Sequence, residues 1–320
     1  MSTIAVNNYL TLIELAKRHD PDGNTADLID TLSKQNPMLE EGHWEEANDL
    51  TSHLFTQVIE EPSGEWGQIN KGVTFAGGRT KQVKEPIAML ESAVKVDLRL
   101  LDRARNPEKF FADECKMHLK GMGKTAHSGI LYGNNASDPD KINGLFTRYN
   151  LTSMANVYGN SGTGSDVTSI AIVKWGKDAT YFAYPRGGKK IIEESGAREE
   201  LIQPSTTTGY KAMVNFFKLN FALCVADDRA FQRVANIETT GTSNIFDEDA
   251  IITALNKMPD LMNVVIYVNR TIKTQMDIAL KDKTNVHFTV EEAWGRPTVH
   301  FQGVPVRLCE GILDTETAIS

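Results

Sequence analysis

The chain has 320 residues, a formal net charge of −8 at pH 7, and 41% hydrophobic residues that are spread in short runs. No uninterrupted apolar run approaches the roughly 18 residues of a membrane-spanning helix, which argues against an integral membrane protein. The negative charge opposes the attraction to phosphate on which dedicated nucleic-acid binders depend.

The three cysteines are widely spaced and odd in number, so they predict reduced thiols in a cytosolic product rather than a disulfide framework. The first 20 residues lack the basic and apolar regions of an export signal. Both observations favour an intracellular protein held together by packing and assembly.

Residues 1–50 are predicted to form an arm rather than part of a core, because few aromatic residues precede Trp44. Helices are predicted from Ile4 to Arg18 and from Thr25 to the residues before Pro37. The run DPDGNTAD (20–27) imitates a calcium loop, but Thr25 occupies the position that requires glycine. A helix-capping turn is therefore favoured over a metal site.

Residues 51–85 are predicted to form a long β-hairpin with a loose tip. Two β-like runs, FTQVIEE (55–61) and RTKQVKE (79–85), flank a glycine-rich segment that carries Trp66, Val73 and Phe75. Exposed apolar groups on a hairpin are a liability for a monomer, but they suit a subunit that lays them across its neighbour.

Two helices are predicted to follow the hairpin. The first begins at Glu85-Pro86 and carries an apolar set: Ala88, Met89, Ala93, Val96, Leu100 and Leu101. In the second, Asn106 is the N-cap, Pro107 is the first helical residue, and about six turns carry one apolar stripe: Phe111, Cys115, Leu119, Met122 and Ala126. This helix is predicted to be a strut that delivers a rigid turn, YGNNASDPDKINGL (132–145).

The strut helix also carries Lys116, Lys120 and Lys124 at intervals of four residues, which predicts a ridge of positive charge. The ridge would face DNA or an acidic neighbour, or it is a solvated face near the helix C-terminus. The overlapping run KGMGKT (120–125) lacks the earlier glycine of a phosphate-binding loop and does not follow a strand.

The second half of the chain is predicted to be rich in strands. Residues 151–245 contain strand patterns, and Phe216-Phe217 indicates a bulge or a change of phase in one of them. The remaining predictions are a helix (Asp247 to Met258), a buried strand (LMNVVIYV, 261–268), a helix capped by Asn269 (Thr271 to Leu280) and a hairpin (Thr298 to Leu308) that turns at Gln302-Gly303.

No motif indicates catalysis. The seven histidines lack metal-ligand spacing, no nucleophile elbow occurs, and the carboxylates form no recognisable acid/base pair. We therefore expect a protein that is not an enzyme and needs no cofactor or metal.

Four segments resemble the major capsid proteins of tailed bacteriophages, nearest to those of short-tailed phages. They are TKQVKEPIAMLESA (80–93), LYGNNASDPDKINGLFTRY (131–149), GYKAMVNFFKLNFALCVADDRAFQRVANI (209–237) and FQGVPVRLCEGILDTET (301–317). Their order and spacing also fit that family, and together they anchor most of the chain from about residue 45 onward.

The resemblance implies an α+β fold of the Hong Kong 97 type. Its parts would be an N-terminal arm (1–50), an extended loop (51–85), a peripheral domain with a spine helix (86–150, plus strands from about 286–308), a mainly axial domain (151–285) and a C-terminal segment (309–320). Copies would close, as hexamers and pentamers, into an icosahedral virion shell that encloses double-stranded DNA without specific recognition. Assembly in the host cytoplasm, with scaffold, portal and cement proteins as further partners, is also implied.

Ten residues are candidates for contacts between subunits: Trp66, Val73, Phe75, Tyr132, Asp138, Asn143, Leu145, Asp228, Arg229 and Arg233. For the last three, inter-subunit ion pairs compete with a local salt bridge within one chain. Two other functions stay open at this point. One is an encapsulin-type compartment with the same fold, and the other is a nucleotide- or DNA-processing enzyme supported by GMGKT.

Overall fold

The computed structural model describes residues 37–188, 192–205, 208–282, 288–293 and 296–320. The predicted helices before Pro37 and the calcium-like run at 20–27 lie outside these residues. The chain forms two compact units. The first draws on Met89–Ala126 and Ile191–Leu219, and the second on Gln35–Ala88, His127–Lys190 and Asn220–Ser320.

The described helices are α1 (Pro37–Glu41), α2 (Leu98–Leu101), α3 (Pro107–Tyr132), α4 (Leu145–Arg148), α5 (Glu248–Asn256) and α6 (Arg270–Asp282). The described strands are β1 (Trp44–Glu46), β2 (Ser52–Glu60), β3 (Arg79–Pro86), β4 (Ala88–Asp97), β5 (Val157–Gly159), β6 (Val167–Lys174), β7 (Thr180–Tyr184), β8 (Glu193–Glu194), β9 (Arg198–Ser205), β10 (Thr208–Val225), β11 (Phe231–Glu238), β12 (Val264–Val268), β13 (Phe288–Ala293), β14 (Arg296–Phe301) and β15 (Val304–Leu308).

The first unit contains α2, most of α3 and the beginning of the long strand β10. β9 and β8 pair antiparallel with this part of β10, and β4 is also its neighbour in the sheet. Burial alternates along β10 until Asn215, which is buried next to exposed Phe216 and buried Phe217. A change of phase therefore occurs at Val214-Asn215, two residues before the predicted position at Phe216-Phe217.

The predicted helix from Pro86 is wrong over most of its length. Residues 88–97 form β4, in which Val94 and Val96 are buried while Lys95 between them is only partly buried and Ala93 before them is exposed. This is the period of two expected for a strand, and β-branched valines fit a pleated surface. Only Leu98–Leu101 are helical, where the Asp97 side chain accepts a hydrogen bond from the Arg99 N–H at 2.9 Å.

The strut helix is confirmed and is longer than predicted. Asn106 Oδ1 accepts a hydrogen bond from the Lys109 N–H at 3.1 Å, so it acts as the expected N-cap. The helix then runs for 26 residues, about seven turns, through Gly121, Gly123 and Gly129 to Tyr132. The KGMGKT run thus lies inside a helix and forms no phosphate-binding loop.

The second unit is built on a sheet whose described strands have the order β13-β14-β15-β12-β6-β11-β5. β12 runs parallel to β15 and antiparallel to β6, and all eight residues of β6 except Lys174 are buried. α5 and α6 cover this sheet through a core that contains Ile251, Leu255 and Ile272. The strand predictions for this half of the chain are confirmed.

The two covering helices begin where the sequence indicates. The Asp247 carboxylate accepts a hydrogen bond from the Asp249 N–H at 3.1 Å, and Asn269 Oδ1 accepts one from the Ile272 N–H at 2.8 Å. The hairpin β14–β15 turns at Gln302 (φ 50°) and Gly303 (φ 80°), as predicted. No helix among the described residues has the length and apolar character needed to cross a bilayer.

Candidate assembly interface

The β2–β3 hairpin has a tip that the chain itself leaves uncovered. β2 and β3 pair antiparallel up to Glu60 and Arg79, and every residue from 61 to 78 is exposed. Trp66 and Phe75 are 102% and 103% exposed, and Val73 is 59% exposed. Contiguous exposed apolar groups of this kind mark contact surfaces in soluble proteins.

The root of the same hairpin is fixed firmly. Buried Glu85 accepts two hydrogen bonds from the Arg148 guanidinium, at 2.7 and 2.8 Å, and the same guanidinium donates to the Leu223 carbonyl at 3.0 Å. On β2, His53 Nε2 lies 2.9 Å from the Tyr181 hydroxyl, and burial lowers the pKa of His53. The hairpin therefore projects from a rigid base.

The turn at residues 133–144 closes on itself through backbone contacts. The Gly144 N–H donates to the Gly133 carbonyl at 2.8 Å, and the Asn143 carbonyl accepts from Arg148 Nε at 3.0 Å. Asp138 forms an exposed ion pair with Lys141 at 3.0 Å, which lowers the pKa of the carboxyl. Asp138 and Asn143 stay partly exposed and available to a neighbour.

The two residues at the ends of this turn face inward. Leu145 is completely buried, so we remove it from the interface candidates. The Tyr132 hydroxyl donates to the Glu316 carboxylate and accepts from the Leu313 N–H at 2.9 Å, and burial raises the pKa of Tyr132. Tyr132 thus holds the C-terminal residues against its own chain.

The candidates around the Asp228–Ala230 turn divide in the same way. Arg229 pairs with Asp227 at 3.0 Å and its side chain is 69% exposed, whereas Asp228 accepts a hydrogen bond from the Tyr149 hydroxyl at 2.8 Å. Arg233 is buried and pairs with Glu316 at 3.0 Å inside one chain. For Arg233 the local salt bridge is therefore the correct alternative, and it leaves the interface candidates.

Sequence reasoning missed the partners that make these interior contacts. Glu85, Arg148 and Glu316 are separated from their partners by 63 to 184 residues, and no local sequence pattern indicates such pairs. The three ridge lysines, by contrast, are where they were expected. Lys116, Lys120 and Lys124 are all exposed along α3, and Lys116 pairs with Asp113 at 3.3 Å.

Among the described residues, no group of three or more histidine, cysteine or acidic side chains is arranged to hold a metal ion. Cys224 and Cys309 are buried free thiols, and burial raises the pKa of both, to about 12 for Cys309. Burial also lowers the pKa of His127, which lies 3.1 Å from the Cys309 sulfur, to about 4. These groups are neutral core residues at pH 7.

Comparison with known proteins decides the family. A family model described as major capsid protein GP7 matches residues 20–320. The chain belongs to this family. It is a structural major capsid protein of a tailed phage, with a Hong Kong 97-like α+β fold, and it forms the virion shell by self-assembly.

Solved structures agree with this assignment. A chain of bacteriophage epsilon15 is 26% identical, has a TM-score of 0.75, and is matched over 99% of both chains. The bacteriophage JBD30 capsid is 13% identical, with a TM-score of 0.51 over 89% of this chain and 94% of that one. No curated protein sequence matches.

The two alternatives from the sequence are not supported. The SrpI encapsulin of Synechococcus elongatus PCC 7942 is 12% identical over 72% of this chain and 98% of that chain, and its TM-score of 0.46 is too low to carry a functional argument. The family is one of structural proteins, and the GMGKT run that suggested an enzyme is helical.

Proposed function

We propose that the shell encloses double-stranded phage DNA, that its copies group as hexamers and pentamers, and that each hairpin tip (residues 61–78) lies across a neighbouring copy. The observation that carries the last point is the complete exposure of Trp66 and Phe75 on a hairpin whose root is fixed. Burying one such side chain against a neighbour stabilises the contact by about 1.5–3 kcal/mol. A wrongly formed contact of this strength can still dissociate.

This contact joins different surfaces of identical copies. Contacts of this kind are heterologous, and they close into rings or shells when the rotation between copies permits closure. Several modest interfaces per copy then hold a durable particle through their sum. Val73, Asp138, Asn143, Asp228 and Arg229 remain proposed members of these interfaces, because each keeps an exposed or partly exposed side chain.

We also propose domains that interleave along the chain: an arm (1–50), an extended loop (51–85), a peripheral domain that begins at residue 86 and contains α3, an axial domain and a C-terminal segment (309–320). The first compact unit supports later strands for the peripheral domain at Ile191–Leu219. The strands at 288–308 belong to the second unit, which supports the axial domain for them rather than the peripheral domain expected from the resemblance.

Family membership supports the remaining partners, which are a scaffold, a portal and a cement protein, and it supports assembly in the host cytoplasm. The exposed ridge of Lys116, Lys120 and Lys124 supports contact with either packaged DNA or an acidic neighbour. The overall charge of −8 agrees with a container that does not adhere to its cargo.

Trp66→Ala tests the proposed clamp. We expect a folded subunit that closes shells poorly, because the side chain contributes nothing to its own chain. Particle yield by electron microscopy and the heat resistance of the particles are the measurements, with Ser243→Ala as an exposed control. Unchanged yield and heat resistance would show that the tip is not a clamp.

A further inference from the structure

A cavity of about 640 Å³ lies beside the hairpin root, within the second unit. Its apolar wall consists of Val83, Met154, Ala155 and Val225, and Tyr149 lies among them. The volume falls in the range of about 300–1,000 Å³ that is usual for pockets that hold small organic groups. The cavity is therefore large enough for an aromatic side chain.

Positive charge dominates the polar part of the cavity lining. Arg148, Arg229 and Lys257 line it together with one carboxylate, Asp228. Arg148 and Arg229 are held by carboxylates that lie outside the lining, namely Glu85 and Asp227. Lys257 Nζ donates to the Ala155 carbonyl at 3.2 Å and lies 4.8 Å from the centre of the Tyr158 ring. Among the described residues Lys257 has no carboxylate partner. A carboxylate from another chain that entered the cavity would therefore form an ion pair with Lys257.

One residue of the cavity lining has a buried hydrogen-bond acceptor without a partner. Gln232 lines it and is only 1% exposed, and its Nε2 donates to the Arg229 carbonyl at 3.1 Å. Its Oε1 is buried without a hydrogen-bond partner among the described residues. Buried amide oxygens are normally paired, so this unpaired atom is unusual in a protein interior.

The hairpin tip carries the complementary groups. Trp66 offers a large apolar ring and an indole N–H that can only donate a hydrogen bond. Glu65 adds a carboxylate next to it and accepts a long hydrogen bond from the Thr74 N–H at 3.4 Å. Because Trp66 is fully exposed, the tip does not fill the cavity of its own chain.

We propose that this cavity is the socket that receives the hairpin tip of a neighbouring copy, with Trp66 in the apolar wall and Glu65 beside Lys257. The inference rests on the proposed clamp and names its receptor. Since tip and socket are different surfaces of one chain, each copy offers both, and the contact runs head to tail around a ring.

The test mixes two variant chains in one assembly reaction. One carries Glu65→Cys and the other carries Met154→Cys, so that a disulfide can join them only between copies. Oxidation of the assembled shells is expected to give covalent dimers on a non-reducing gel. The matched control pairs Glu65→Cys with Ser243→Cys, an exposed position outside the cavity lining. The wild-type chain, in which Cys224 and Cys309 are buried and Cys115 is partly exposed, provides the background.

Absence of dimers, or equal amounts with the Ser243→Cys control, would overturn the socket. If Trp66→Ala still prevents closure in that case, the clamp survives and binds elsewhere. If Trp66→Ala also has no effect, both proposals fail. Dimers or intrachain links that form instead between Leu28→Cys and Met154→Cys would assign the cavity to residues 1–36 and would overturn the socket as well.

If the cysteine variants do not assemble, exchanging the charges of Glu65 and Lys257 tests the proposed socket. Lys257→Glu should lower particle yield at least about tenfold, because it sets two carboxylates against each other at the proposed contact. Glu65→Lys combined with Lys257→Glu should recover most of that loss. A double variant that assembles no better than the single Lys257→Glu variant would overturn the proposal.

Discussion

Arg233 and Glu316 form the most deeply buried ion pair among the described residues, with side chains 5% and 6% exposed. The guanidinium also donates to the Ser169 hydroxyl and to the carbonyls of Phe146 and Tyr149. Burial lowers the pKa of Arg233, and Glu316 is the main group that opposes this shift. The pair is tolerated in the interior because every charged group in it has partners.

Glu316→Gln should destabilise the subunit by about 3 kcal/mol, because it leaves the Arg233 charge buried without its counter-charge. The measurement is the free energy of unfolding of the unassembled subunit in denaturant. Asp260→Asn, which removes an exposed partner of Lys174, is the control and should change this free energy little. Equal effects of the two substitutions would contradict the importance of the buried pair.

His127 makes the stability of the subunit depend on pH. Burial lowers its pKa from 6.5 to about 4, so the unfolded chain takes up a proton at a higher pH than the folded chain does. The contribution of neutral His127 to the free energy of unfolding is complete above pH 6.5, and it is lost as the pH falls from 6.5 towards about 4. Across this window the loss attributable to His127 is about 3 kcal/mol.

His127→Gln should remove this part of the pH dependence. Denaturant unfolding of both proteins at several pH values between neutral pH and pH 4 measures the effect. The wild-type curve should fall more steeply with acid than the variant curve, whatever their difference at pH 7. Parallel curves would show that His127 does not titrate differently on folding.

At the scale of elements, the strut helix and its turn use glycine for opposite reasons. Gly121 lies in the helix, and a Cβ there would meet nothing within 4 Å. A Cβ on Gly144, at the end of the turn, would lie 2.6 Å from the Leu131 carbonyl oxygen. The first glycine only weakens the helix, whereas the second permits the close backbone approach that shapes the turn.

Two alanine substitutions separate these roles. Gly121→Ala should stabilise the subunit by about 0.5–1 kcal/mol through helix propensity. Gly144→Ala should destabilise it by about 1–3 kcal/mol, because the backbone must move. Thermal unfolding of the two variants beside the wild type measures both shifts. A destabilising Gly121→Ala would mean that this face of the helix is covered in the free subunit.

Caps and periodic patterns were the parts of the fold that could be predicted from sequence. Asn106, Asp247 and Asn269 each begin a helix because a side-chain oxygen satisfies a free backbone N–H, which is a local effect. β4 was mistaken for a helix because Met89, Ala93 and Val96 also fit helical spacing, and its pairing with β10 is not visible locally. The extra turn of α3 was not predicted, because three glycines lower helix propensity locally and the packing that outweighs them is not visible in the sequence.

The candidate site was predictable to a similar extent. Exposed Trp66, Val73 and Phe75 follow from apolar residues within a glycine-rich tip, which cannot bury them. The fate of Leu145 and Arg233 depends on chain segments that are distant in sequence, as do the walls of the cavity beside the hairpin root. Those contacts appear only once the second unit has folded.

At the scale of the whole molecule, a shell held by many modest contacts should form only above a threshold concentration of subunits. Trp66→Ala should raise this threshold, because it weakens one contact in every copy without changing the folded chain. Light scattering over a dilution series of purified subunits measures the threshold. If the folded Trp66→Ala variant had the same threshold as the wild type, contacts other than the hairpin tip would supply the free energy of shell closure.

The uncovered hairpin tip has a consequence for a copy that misses its place. Extended, exposed loop tips are the segments at which folded proteins are most readily cleaved. If a neighbour covers residues 61–78 as proposed, a stray copy presents a substrate to proteolytic enzymes and an incorporated copy does not. Exposure of these eighteen residues would then direct unassembled copies to proteolysis, whereas copies in the finished particle would be protected.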